Sequence, residues 1–335
     1  MAFMKQKTAA LLVAAVLGAG TLAIGSASAQ TTIKIAHPNV PDHPMGQGFE
    51  YFKQIVEERS DGRFQVQIFD SSKFGNFDSV VQGLQGGLLE MGSASTPNLS
   101  PFSDDFLIFD MPFLFPDYPA ADLITDGPIG TNAARALEPT GILGVGYIEI
   151  GFRHLFNNKV SIETLEDAAG LKIRSTPSQA HIGTLESLGI NPTPIAWSEV
   201  YTAMQQRTVD GIDIDLNLAW FNNFHEVTDQ LTVVSSLYSP HLVMMSEQFY
   251  ESLEPFDQVM ILNAVNEMKF YQRSLIRQNE AMILEAMRDA GVTIVELSPE
   301  ERARWAEATS TVYDQFTDVV GADLIEQARE TIANR

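Results

Sequence analysis

The feature that most restricts the fold is a regular alternation of strand and helix patterns that begins at Thr32. Residues 64–69 alternate strictly between apolar and polar side chains, which indicates a strand. The flanking segments complete a β-α-β-α-β series, with strands at 32–36, 64–69 and 88–93 and helices at 45–59 and 77–84. Such a series is typical of a largely parallel sheet with helices on both faces.

A second alternating series begins near Gly141. Its predicted elements are strands at 142–150, 171–174 and 209–214 and helices at 161–166, 180–188 and 198–206. The two series share the alternating pattern without any internal sequence repeat. We therefore predict an α/β protein built from two lobes.

A long helical pattern follows the second series. It starts with Pro255, a residue well suited to a first helical turn, and continues to Ala290 before Gly291. The predicted apolar stripe consists of Phe256, Val259, Met260, Met268, Tyr271, Leu275, Met282 and Met287. At about 1.5 Å per residue this helix is roughly 50 Å long, enough to run along both lobes. The alternative is a kinked pair of helices in one lobe. Ser298 and Glu301 then predict a capping box for a last helix.

The first 29 residues have the pattern of a secretory signal peptide. Lys5 and Lys7 precede an apolar run, and Ala27-Ser28-Ala29 supplies the small residues of a cleavage site. We expect cleavage after Ala29 and export of the mature chain, an uncleaved membrane anchor being the alternative. The chain has no cysteine, which excludes disulfides and thiolate metal sites.

Charge excludes further classes of partner. Removing Lys5 and Lys7 takes the net charge from −22 to −24. Such a surface repels nucleic acid and anionic lipid, so neither is an expected partner.

Motifs for catalysis and cofactor binding are missing from the sequence. There is no phosphate-binding G-x-x-x-x-G-K-[ST], no G-x-G-x-x-G after a strand and no G-x-S-x-G. The histidines are scattered, at positions 37, 43, 154, 181, 225 and 241. We expect no enzymatic activity, no cofactor and no metal.

Two arginines at predicted strand ends are the strongest sign of a binding site. Arg153 follows the apolar strand 142–150, and Arg174 ends the strand 171–174. A guanidinium group can bind a carboxylate through two parallel hydrogen bonds, which an ammonium group cannot. Two such groups in an otherwise acidic chain predict a site for a small anion.

Several motifs, in order and spacing, are similar to one family. The strongest are Gly170–Arg174, the segment Pro194-Ile195-Ala196-Trp197-Ser198-Glu199-Val200 and the triplet Val209-Asp210-Gly211. Residues 70–75, 111–113 and 151–153 fit as well. Over essentially the whole mature chain the sequence resembles the periplasmic substrate-binding proteins of TRAP transporters, the DctP-like family.

The resemblance implies two α/β lobes that close on a small-molecule solute, with a long helix along both. Lobe I would comprise residues 30–150 plus about 239–278, and lobe II residues 151–238 plus about 279–335. The implied partners are the subunits of a TRAP membrane permease. An ABC importer is an alternative partner against which the long helix argues.

The resemblance also implies roles for individual residues. Arg174 would form a salt bridge to the substrate carboxylate, supported by Arg153, and Trp197 would lie against the ligand. The first-lobe residues expected to face the cleft are His37, Asn39, Phe74, Asn76, Ser95 and Asn98.

One departure from the family leaves the charge of the ligand open. Many members have Gln-Glu-Asn-Pro after Val-Asp-Gly, whereas this chain has Ile212-Asp213-Ile214-Asp215. Strand alternation puts Asp213 and Asp215 on one face, and Glu149 lies near the cleft end of its strand. The leading hypothesis is a hydroxylated organic acid, with its carboxylate on the two arginines and its hydroxyls on the two aspartates. One alternative is an amine-bearing solute, an amino alcohol or amino acid, held by the three acids, which would then also pair with Arg153 and Arg174. The other is a periplasmic enzyme on the same fold.

Overall fold

The computed structural model describes residues 30–335. The predicted signal peptide, residues 1–29, lies outside the described residues. The strands are β1 (Thr31–Ala36), β2 (Phe64–Phe69), β3 (Met91–Ser95), β4 (Ile142–Asn157), β5 (Lys172–Ser175), β6 (Asn191–Pro194), β7 (Gly211–Asp215), β8 (Gln230–Val233), β9 (Tyr238–Ser246) and β10 (Thr293–Glu296).

Helices cover the sheet and form the C-terminal part of the chain. They are α1 (Pro44–Arg59), α2 (Phe77–Gln85), α3 (Thr96–Leu99), α4 (Tyr118–Thr125), α5 (Pro128–Arg135), α6 (Leu165–Ala168), α7 (Gln179–Ser187), α8 (Trp197–Gln205), α9 (Leu216–Phe221), α10 (Glu247–Ser252), α11 (Pro255–Asp289), α12 (Pro299–Ala308), α13 (Ser310–Val320) and α14 (Ala322–Ala333). Short 3-10 helices lie at Asp104–Asp110, Glu138–Thr140 and Phe224–Glu226. Among the described residues, no helix combines the length and the apolar character needed to cross a membrane.

The strands form a sheet of two halves in the order β2-β1-β3-β9-β4-β7-β5-β6, with β8 on β4 and β10 on β8. In residues 30–335 five of the nine ladders are parallel, and each of the four antiparallel ladders involves β4 or β9. The predicted α/β class with mostly parallel pairing is thus confirmed. The sequence patterns missed β6, β8, β9 and β10 and ended β4 seven residues early, at Ile150 instead of Asn157.

Strand β4 passes from one half of the sheet to the other. It pairs with β9 as far as Phe152, and from Arg153 onward it pairs with β7. The change follows a bulge between Glu149 and Gly151, where Gly151 has φ 123°. A Cβ at this glycine would meet the Tyr118 hydroxyl at 3.4 Å and Cβ of Asp215 at 3.6 Å. These are ordinary contact distances, so the left-handed backbone at the bulge, and not a lack of space, is what favours glycine here.

Helix α11 is one continuous helix of 35 residues, which confirms the long helix and makes the kinked-pair alternative wrong. Met260 and Val265 pack in the core around α1 and β1, whereas Ile283 and Met287 pack in the core around β7 and α9. The helix therefore joins the two halves. Its predicted stripe was partly wrong, because Phe256, Val259, Tyr271 and Met282 are exposed. They lie on the solvent side of a helix whose core face is narrower than the sequence suggested.

The C-terminal part differs from the prediction of a single last helix, since α12, α13 and α14 follow β10. Only half of the capping box forms. Oγ of Ser298 accepts from the Glu301 amide at 3.1 Å. The Glu301 carboxylate does not reach back to Ser298 but accepts from the amide of Leu165 at 2.6 Å and from the Trp305 indole at 3.2 Å.

Candidate functional site

A narrow cavity of about 30 Å³ lies where β4 changes partners, between the loops of the two sheet halves. From the side of β1 and β3 it is lined by Pro38, Asn39, Phe77, Ser95, Asn98 and His241. From the side of β5 and β7 it is lined by Arg153, Arg174, Thr176, Trp197, Ile214 and Leu218. Ile150 of β4 completes the wall. The structure thus brings the two predicted arginines into one cavity.

Arg153 is buried, and its charge is compensated inside the protein. Its Nε lies 3.2 Å from Oδ2 of Asp213, and its Nη2 donates to the backbone carbonyl of the same residue. Nη1 is 3.4 Å from Oγ of Ser239. The antiparallel pairing of β4 with β7 places Arg153 beside these acidic residues, opposite Asp215.

Arg174 is equally buried, at 4% exposure, but differs from Arg153 in its hydrogen-bond partners. Its Nε and Nη2 donate to the backbone carbonyl of Ile195 at 3.1 and 2.9 Å. Within residues 30–335 no carboxylate is in ion-pair distance of this guanidinium. Burial and the neighbouring charge of Arg153 lower the pKa of Arg174 to about 9. Because arginine stays protonated in proteins, the cavity contains an uncompensated cation.

Asp213 lies behind Arg153 and binds His181, a residue that the sequence analysis did not single out. Nε2 of His181 is 2.6 Å from Oδ2 of Asp213. Burial opposes the charge of Asp213, but Arg153 and His181 outweigh burial and lower the pKa of this carboxyl to about 2. Burial lowers the pKa of His181, so its ring is neutral. Nothing in the sequence pattern around His181 connects it to Asp213, 32 residues away.

Asp215 does not line the cavity either. Its Oδ1 accepts from the Leu218 amide at 2.9 Å and caps α9. Burial raises the pKa of Asp215 to about 8. Asp213 and Asp215 share one face of β7, as alternation predicted, but Ile214 on the opposite face is the β7 residue that lines the cavity.

Glu149 is directed to α11 instead of to the two arginines of the cavity. Its Oε2 lies 2.6 Å from Nη2 of Arg277 and accepts from the Tyr238 hydroxyl at 3.1 Å. Burial raises the pKa of the Glu149 carboxyl despite these partners. The expectation that Glu149 competes for Arg153 and Arg174 is therefore not met, because the bulge after it turns the strand.

Trp197 and Asn98 lie in the cavity wall. Trp197, the first residue of α8, has its ring centroid 6.0 Å from Cζ of Arg174. Nδ2 of Asn98 donates to Oγ of Ser95 at 2.6 Å. Thr176 and His241 also line the cavity, and sequence reasoning had not selected either.

The other first-lobe candidates lie in an adjoining pocket beyond Phe77 and Trp197. His37, Phe74 and Asn76 line it together with Ser198. Asn76 caps α2 by accepting from the Ser79 amide at 3.0 Å. Burial lowers the pKa of His37 to about 4, and its ring stacks on Phe49. In the part of the chain that the structure describes, no three His, Asp or Glu side chains are grouped to hold a metal ion.

Comparison with known proteins gives one consistent family. The family model "Bacterial extracellular solute-binding protein, family 7" (DctP) matches residues 35–318. The 2,3-diketo-L-gulonate-binding periplasmic protein YiaO of Escherichia coli is 31% identical over 282 residues, covering 83% of this chain and 85% of that protein. The matched residues include every motif on which the resemblance to TRAP substrate-binding proteins rests. The prediction of the family is confirmed.

Solved structures agree with this result. The sugar acid binding protein DctPAm of Advenella mimigardefordensis, in complex with galactonate, has a TM-score of 0.88 and 27% identity and covers 91% of this chain and 98% of its own. A TRAP periplasmic solute binding protein of Sulfurospirillum deleyianum with bound succinate has a TM-score of 0.87 and 30% identity. The match covers 90% of this chain and 99% of that protein.

Proposed function

This chain belongs to family 7 of the bacterial extracellular solute-binding proteins, and we propose that it is the TRAP receptor for a small hydroxylated organic acid. The observation that carries the choice of an acid is Arg174, a buried guanidinium without a carboxylate partner among the described residues. A buried charge is costly unless it is paired. A ligand carboxylate would supply the missing partner and accept two parallel hydrogen bonds.

The acidic residues disfavour the amine-bearing solute. Asp213 is bound by Arg153 and His181, and Glu149 is bound by Arg277. Asp215, with its pKa raised to about 8 by burial, is neutral at pH 7. None of the three lines the cavity. An ammonium group would therefore enter a cavity that has two guanidinium groups and, in the described part of the chain, no facing carboxylate.

Neutral polar groups support the hydroxylated part of the ligand. Asn39, Ser95, Asn98 and Thr176 line the same cavity as Arg174. Such groups can exchange hydrogen bonds with hydroxyls without adding charge. Relatives that bind 2,3-diketo-L-gulonate or galactonate are consistent with a ligand of this kind. The relative with bound succinate holds an organic acid that has no hydroxyl group.

The proposed mechanism is capture and delivery, with no chemical step. The two lobes, with the boundaries given above, would close on the solute by a hinge where β4, β9 and α11 join the sheet halves. Closure is favoured because the ligand binds the closed arrangement more tightly than the open one. The closed receptor would then hand the acid to a TRAP permease in the periplasm, after export directed by residues 1–29. The relatives compared above are solute-binding receptors, which supports a receptor over an enzyme.

The test is a thermal-shift screen of ligand-free protein with acids and amines, followed by calorimetry and recovery of the bound compound. We expect melting-temperature increases with hydroxylated acids and unchanged ligand on recovery. Stabilisation by amines alone would contradict the acid. A chemically altered compound after binding would contradict the receptor function.

A further inference from the structure

Contacts behind the cavity determine whether the hydroxyl of Thr176, two residues after Arg174, donates a hydrogen bond to a ligand or accepts one from it. Oγ1 of Thr176 lies 2.7 Å from Nδ1 of His181, and Nε2 of the same ring lies 2.6 Å from Oδ2 of Asp213. All three residues are almost completely buried. Thr176 lines the cavity, whereas His181 and Asp213 lie behind it.

Two contacts determine which nitrogen of His181 carries the proton. The Asp213 carboxylate can only accept a hydrogen bond, since its pKa is lowered to about 2, so Nε2 must donate. On the other side of the ring, the backbone amide of Thr176 lies 3.3 Å from Nδ1, and an amide can only donate. Nδ1 is therefore the unprotonated acceptor, and the ring is neutral.

This tautomer fixes the direction of the Thr176 hydroxyl. With Nδ1 as an acceptor, the contact of 2.7 Å requires that the Thr176 O–H donates to it. A hydroxyl has one proton, so Oγ1 keeps only lone pairs for a second partner. Whatever group of a ligand meets this oxygen must be a donor.

We infer that the Thr176 hydroxyl can only accept a hydrogen bond from a ligand. It thereby selects acids with a hydroxyl group near the carboxylate over the corresponding oxo acids. The inference rests on the proposed function, because it assumes that Arg174 holds the carboxylate. A carbonyl oxygen at this position would face a second acceptor and leave both unpaired. A site built to pair with a hydroxyl discriminates strongly against analogues that lack it.

An ammonium group is also a donor, but the cavity disfavours it. Arg153 and Arg174 line the same cavity, and no carboxylate among residues 30–335 faces it to balance a further positive charge. The amino acid counterpart of a hydroxy acid should therefore bind more weakly than the hydroxy acid itself.

The experiment measures dissociation constants by calorimetry for matched monocarboxylates. The probes are lactate, pyruvate, propionate and alanine at three carbons, and 2-hydroxyhexanoate, 2-oxohexanoate and hexanoate at six. For the size that binds, we expect the hydroxy acid to bind at least about tenfold more tightly than its oxo and deoxy counterparts. Equal or tighter binding of the oxo acid would overturn the inference while leaving the proposed function intact. If none of these acids nor any acid of the wider screen binds, the proposed function fails as well.

Two pairs of variants distinguish an effect of the hydrogen-bond direction at Thr176 from a general structural effect of the substitution. Thr176→Val should remove the preference for the hydroxy acid over the oxo acid, whereas Thr176→Ser should keep it. His181→Gln retains a donor for Asp213 but no acceptor for Thr176, so discrimination between hydroxy and oxo acids should fall. His181→Asn places an oxygen near Nδ1 and should preserve the discrimination. Unchanged discrimination in both Thr176→Val and His181→Gln would overturn the inference.

Discussion

Oδ2 of Asp213 lies 3.2 Å from Nε of Arg153 and neutralises one of the two guanidinium groups that line the cavity. Arg174 is left with the single unbalanced charge. The number of charges that the ligand must bring follows from this pairing, because buried charges are stable when they are matched.

The first prediction is a preference for singly charged acids. Gluconate should bind at least about tenfold more tightly than glucarate, since the second carboxylate of glucarate has no free cation to meet. Asp213→Asn should shift this ratio towards glucarate, because it frees the charge of Arg153. The exposed Asp314→Asn is the control and should leave the ratio unchanged, as measured by calorimetry. A wild-type preference for glucarate would contradict the charge balance.

The second prediction concerns Arg174→Met. Removing a buried, unpaired charge should raise the melting temperature of the ligand-free protein, while affinity for the acid should fall by about a hundredfold or more. Arg288→Met, at a side chain 53% exposed, should change neither quantity. Retention of acid binding by Arg174→Met would show that the carboxylate lies elsewhere.

The third prediction is a pH dependence at Asp215. Burial raises the pKa of its carboxyl in the folded protein to about 8 from the usual 3.8. The group's contribution to the free energy of unfolding is therefore fully present below pH 3.8 and is lost as pH rises through 8. Asparagine keeps the cap on α9 and has no charge to lose. Asp215→Asn should raise the melting temperature by at least about 2 °C at pH 8 and leave it unchanged at pH 4.

Asp117 is the matched control for this experiment. It also caps a helix, with its Oδ1 3.0 Å from the Ala120 amide, but Arg335 lowers its pKa. Asp117→Asn should therefore give no stabilisation at pH 8. Equal effects of the two variants would indicate a general change at helix caps and refute the role of burial at Asp215.

The fourth prediction is that Glu149 contributes to stability and not to ligand binding. Glu149→Gln weakens its contact with Arg277, so the melting temperature should fall. Arg277 is 29% exposed and keeps Asp122 as a partner, which limits the loss to about 1–2 kcal/mol in the free energy of unfolding. The dissociation constant of the acid should stay within about threefold. A change of tenfold or more would place Glu149 in the binding site after all.

Elements with one buried face could be predicted from the sequence, whereas the fully buried strand β9 could not. Strands and helices such as β2 and α1 were predicted within a residue or two, because period 2 and period 3.6 patterns are set by one buried face. Strand β9 was missed because all nine of its residues are buried, so no alternation marks it. The extension of β4 beyond its bulge was missed for the same reason.

Motifs in the sequence by themselves determined the family, the two arginines and the long helix, since these depend on residue type and local spacing. The tertiary structure alone decided what compensates each charge. Strand pairing put Asp213 beside Arg153, a bulge turned Glu149 to Arg277, and helix α7 brought His181 to Asp213. The electrostatic energy of a buried group depends on distances to groups far away in the chain, and those distances exist only after folding.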